Sequence, residues 1–136
     1  MACLFLSAVS CQQKSEEHGT DQAHQEEEQG ANQALYEEVM GIHDEVMPKM
    51  NDLYKRKTAL KTRLELPGTS ENEMQEIHQK IARIDSASES MMVWMRQFDP
   101  VPDSEGEEEA RAYLEEQLVK VKKVRENILE ALKTTE

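Results

Sequence analysis

Thioethers, one imidazole and one indole recur at helical spacing in two stretches of the chain. Met40, His43 and Met47 form the first group; Met91, Met92 and Met95, with Trp94 among them, form the second. If two helices fold back on each other about a turn near residue 68, residues whose numbers sum to about 137 lie level. His43 then faces Trp94, and the two groups form one layer. Cu(I) and Ag(I) favour thioether sulfur and neutral imidazole, and an indole face attracts a cation. Met40, His43, Met47, Met91, Met92 and Met95 are therefore candidate soft-metal ligands, with Trp94 a candidate cation–π contact. The competing reading is packing: Met is flexible, fills irregular gaps and is well tolerated in helices. Packing is the expectation for this layer, and Cu(I) the alternative.

The second chemically distinctive residue is Cys11. The cysteines are Cys3 and Cys11 alone, so residues 31–136 contain no disulfide and no thiolate zinc site. Residues 1–11, MACLFLSAVSC, carry no charged side chain. An apolar run followed by Ala8-Val9-Ser10-Cys11 resembles a bacterial lipobox, in which a signal peptidase cuts before the cysteine and its sulfur receives a diacylglycerol. Ser10 suits that pattern; Ala8 stands where Leu is usual. The basic segment that normally opens such a signal is missing, which predicts a start upstream of Met1 or a clipped signal. Cys11 is thus the expected lipidation site. The other reading is a frayed apolar N-terminus.

Residues 12–30 hold six acidic residues against one Lys, and no apolar stripe. Such a tract cannot offset the entropy of ordering, so a disordered acidic tether is expected. His18 and His24 read as solvated. Lys14-Ser15-Glu16-Glu17 resembles the acidic signals that send some lipoproteins to the cell surface.

These residues must be positioned by helices. Of 136 residues 32% are charged, the net charge is -12, and only 4% are aromatic. Few Gly, Pro and aromatic residues argue against a β-sandwich or barrel. The acidic balance argues against nucleic-acid binding. Leu35, Val39, Ile42, Val46, Met50, Leu53, Leu60 and Leu64 trace a stripe over about 32–66, flanked by Tyr36 and Tyr54. Pro48 lies inside it, and the stripe keeps phase, so a kink rather than a break is expected. Leu66-Pro67-Gly68-Thr69 reads as a turn. Ser70 and Glu73 read as a capping box opening a helix over about 70–98. Its stripe is Met74, Ile77, Ile81, Ile84, Ser88, Met91, Met95 and Phe98. A third helix over about 106–133 carries Ala110, Leu114, Leu118, Val121, Val124, Ile128 and Leu132. Its opening Glu107, Glu108 and Glu109 suit the helix dipole. Short loops predict an all-α, up-down-up three-helix bundle with coiled-coil-like packing in residues 31–136, the first two helices outrunning the third. Lys55, Arg56, Lys57, Lys61 and Arg63 form a basic cluster, and Lys120, Lys122, Lys123 and Arg125 are expected near its level. The other end would be acidic, through Glu37, Glu38, Asp103, Glu105 and Glu107.

The segments Glu38 to Met50 (EVMGIHDEVMPKM) and Met91 to Phe98 (MMVWMRQF), with the third helix from Tyr113, resemble small Bacteroidota lipoproteins labelled "viral A-type inclusion protein". The resemblance spans about residues 35–133. It implies a cell-envelope lipoprotein, held to the outer membrane and facing the periplasm or the cell surface, and no established activity.

No phosphate loop, nucleophile elbow or zinc-protease motif is present, so an enzyme is not expected. The leading reading is a non-enzymatic, lipid-anchored helical module that binds or spaces other envelope proteins. The alternatives are the soft-metal protein above and a chaperone-like binder of unfolded chains, since Met surfaces suit promiscuous contacts.

Overall fold

In the computed structural model the backbone is described for residues 18–100 and 106–135, and side chains from residue 30 onward within those limits. The expected signal, Cys11 and the first residues of the expected tether lie outside these residues. Three helices follow one another: α1 His18–Leu64, α2 Glu71–Gln97 and α3 Glu107–Thr134. They pack pairwise into the up-down-up bundle, and none is long and apolar enough to cross a membrane.

α1 is 47 residues long, about 70 Å at 1.5 Å per residue. It begins ahead of the expected start near Asn32. The added turns are rich in Glu, Gln and Ala, which are good helix formers, and they carry no apolar stripe. Pro48 lies exposed inside α1 without interrupting it. Val46 and Leu53, on either side of it, are both fully buried, so the stripe does keep phase.

The turn between α1 and α2 uses Gly68, whose φ of +95° disfavours any residue with a Cβ. Ser70 caps α2 as expected, its hydroxyl accepting from the Glu73 N–H at 3.3 Å. The return arm of a capping box is replaced by a cross-turn ion pair. Glu73 Oε1 accepts from Arg63 Nε at 2.9 Å and from Nη2 of the same guanidinium. A charged guanidinium is a stronger donor than the backbone N–H of Ser70.

The core contains Val39, Ile42, Val46 and Leu53 from α1, Ile84, Ala87, Met91 and Trp94 from α2, and Val121, Val124, Ile128 and Ala131 from α3. Each large side chain buried this way contributes about 1.5–3 kcal/mol. On α2 the expected stripe is half right. Ile77, Ile84 and Met91 are buried, but Ala87 and Trp94 take the places expected for Ser88 and Met95. The two alternatives differ by one residue and both keep 3–4 spacing. Packing against α3 as well as α1 turns α2 toward the side that buries the indole. Tyr54, expected to flank the α1 stripe, is 69% exposed.

α3 runs parallel to α1. Asn32 Nδ2 donates to the Glu107 carbonyl at 2.9 Å, Lys122 pairs with Glu38 at 2.9 Å, and Arg125 with Glu45 at 3.4 Å. The offset is 75 residues at the start of α3 and 80 to 84 further along, so α3 starts level with about Asn32 and ends level with about residues 50–54 by these contacts. Lys120 to Arg125 therefore lie level with about residues 40–45. The expected grouping with Lys55 to Arg63 at the far end does not form. The α2–α3 register, set by Trp94 against Gln117 and Phe98 against Tyr113, places Lys120 to Arg125 level with about residues 86–91 of α2, short of that end.

Candidate functional site: the groove between α1 and α2

Tyr36, Met40, His43, Met47 and Tyr54 fall on one face of α1 by their spacing. Two ring contacts show that this face borders α2: Tyr36 lies 6.3 Å from Phe98, and His43 lies 5.8 Å from Trp94. On α2 the spacing of Asp85, Ser88, Met92 and Met95 marks a matching face, and the ion pair of Lys57 with Asp85 shows that it borders α1. His43 does face Trp94, so a level sum near 137 describes this hairpin.

The six candidate metal ligands do not share one environment. Met91 is fully buried in the core. Met40, His43 and Met47 are half-buried, and Met47 packs against the core. Met92 and Met95 are 41% and 38% exposed. Packing thus accounts for Met91 and part of Met47. It does not account for Met92 and Met95, which by their spacing from Asp85 fall on the α1-facing side of α2 and remain exposed.

Trp94 occupies a closed aromatic setting. One ring neighbour is Phe98, stacked at 4.9 Å, and another is His43. Its Nε1–H donates to Gln117 Oε1 at 3.1 Å, and the residue is only 4% exposed. Such an indole is a core element, with little face left for a cation. Phe98 also stacks on Tyr113 at 6.3 Å, and the Tyr113 hydroxyl accepts from the Asp99 N–H at 2.8 Å. No family model, curated protein or solved structure matches this chain.

His43 Nδ1 lies 2.8 Å from Asp44 Oδ1. A carboxylate only accepts, so Nδ1 is the donor, and in the neutral ring the lone pair is on Nε2. Nε2 makes no hydrogen bond among the described residues and is not sealed from solvent. No cluster of three His, Cys, Asp or Glu side chains among the described residues is placed to hold a metal ion. Any ion in this groove would rest on thioethers.

A second open groove, about 480 Å³, lies between α2 and α3 and is lined by Val93, Trp94, Lys120, Lys123 and others. Sequence reasoning missed Gln117 as a buried polar residue. Its signal is its place one turn from Leu114 and Val121, on the apolar stripe of α3.

Proposed function

We propose that the protein is a non-enzymatic, lipid-anchored helical module of the cell envelope that holds a contact surface away from the membrane. The observation that carries this reading is that α1 outruns α3 at both ends. Toward Cys11 it continues from Asn32 back to His18, about 21 Å of helix. At the far end the last turns of α1, beyond about residues 54–60, and the start of α2 extend past α3 as a short two-helix tip, about 6–15 Å long. Leu66 at this tip is 57% exposed, and Lys61, on the last turn of α1, is exposed too. Open helix faces with exposed apolar and cationic side chains suit contact with another envelope protein better than they suit a small molecule, which needs a concave pocket.

Placing a benzophenone side chain at Leu66 tests this in intact cells. The reading expects a discrete crosslinked adduct with one envelope component from Leu66, and none from Glu115 on the solvated face of α3. The absence of an adduct from Leu66, or equal adducts from both positions, would remove the tip as a contact surface.

A further inference from the structure

We propose that the rim of the α1–α2 groove binds one monovalent soft metal ion, Cu(I) or Ag(I), through His43 Nε2 with Met92 and Met95, supported by Met40 and Met47. This goes beyond the contact role of the distant tip. Four observations converge on these residues.

The first is imidazole chemistry. Asp44 Oδ1 accepts from His43 Nδ1, which leaves Nε2 as the ligating nitrogen of the neutral ring, and a carboxylate on the other nitrogen is the usual support of a ligating histidine. The second is position. Met92 and Met95 lie within two residues of Trp94, which is level with His43, so their heights differ from it by at most about 3 Å. Met40 and Met47 lie about 4.5 and 6 Å along α1 from His43, on its own face. The third is exposure. Met92 and Met95 keep 41% and 38% of their surface open, so an ion can reach them without unfolding the core. The fourth is charge. Thioethers and a neutral imidazole bind without losing a proton, and the Asp44 carboxylate, 75% exposed, lies beside the groove to balance a single positive charge. Met91 and Trp94 are excluded from the site, because both are committed to the core.

The test uses the full chain with Cys3→Ser and Cys11→Ser, since free thiolates would capture either ion first. Trp94 is the sole tryptophan and sits beside His43, so its fluorescence reports binding. Silver nitrate in chloride-free buffer is titrated while Trp emission and the ¹³C-methyl resonances of the methionines are followed. The proposal expects saturation near one equivalent, with the Met92 and Met95 methyls shifting and those of Met74 and Met91 unmoved. Met92→Leu with Met95→Leu replaces exposed side chains at nearly constant volume, so the fold should persist. That variant and His43→Gln should each weaken binding by about tenfold or more, and Met91→Leu by less than about twofold. Circular dichroism confirms that each variant is folded. No saturable change in emission, shifts spread evenly over all the methionines, or equal weakening by Met91→Leu would overturn the assignment.

Discussion

The indole Nε1–H of Trp94 donates to Gln117 Oε1 across 3.1 Å, joining α2 to α3 inside the core. A buried donor that loses its acceptor incurs its full desolvation cost. Gln117→Leu should therefore destabilise the bundle by about 1–3 kcal/mol despite adding apolar surface. Trp94→Phe with Gln117→Leu should cost less than the sum of the single changes, because both partners then leave together. Urea denaturation of the four proteins measures the coupling. Strict additivity would mean that the bond carries no weight.

The rotation of α2 about its axis predicts an order among its isoleucines. Ile84 is 1% exposed, whereas Ile81 is half-buried on the α1 flank. Ile84→Asp should cost several kcal/mol, on the order of 4 or more, by burying an unpaired carboxylate. Ile81→Asp should cost distinctly less. Glu115→Ala, which removes only an exposed pair with Arg111 at 3.2 Å, should stay within about 0.5 kcal/mol. Chemical unfolding midpoints in the reverse order for the two isoleucines would show the α2 seam to be misplaced.

Two glycines should respond oppositely to alanine. Gly68 sits at φ +95°, so Gly68→Ala should cost about 1–2 kcal/mol. Gly41 is an exposed position within α1 where an added Cβ meets nothing within 4 Å. Gly41→Ala should stabilise by about 0.5–1 kcal/mol. Thermal melts of the two variants decide, and a stabilising Gly68→Ala would contradict the turn geometry.

The anchor is tested chemically. Expressed behind an added basic N-terminal segment in a bacterial host that processes lipoproteins, the mature chain should begin at a diacylated Cys11, read by mass spectrometry. Cys11→Ser should release it from membranes. An intact peptide of residues 1–11 on a protein recovered without membranes would exclude lipidation there.

Much of this architecture is a local property of the chain. The number of helices, the turn at Pro67-Gly68, the Ser70 cap and the unbroken passage through Pro48 follow from periodicity and punctuation acting over a few residues. The level of α1 against α2 was legible too. A tight turn leaves antiparallel helices one register, and His43 meets Trp94 where that register puts it. The candidate site was legible in composition but not in exposure, since spacing alone places Met91, Met92 and Met95 in one layer.

Tertiary structure decided what lies beyond that local reach. On α2, Ser88 with Met95 and Ala87 with Trp94 extend the line of Ile84 and Met91 equally well, because both pairs keep the 3–4 spacing. Only a third helix, with Gln117 in place to satisfy the indole, selects the side that buries Trp94 and leaves Met95 on the rim. The level of α3 was likewise open, since the residues joining it to α2 do not define one register by themselves. The aromatic stack of Phe98 with Tyr113 sets that level and brings Lys122 and Arg125 to Glu38 and Glu45. Helix formation is governed by neighbours in sequence, whereas rotation and offset are governed by side chains far apart in the chain that must fill one core together.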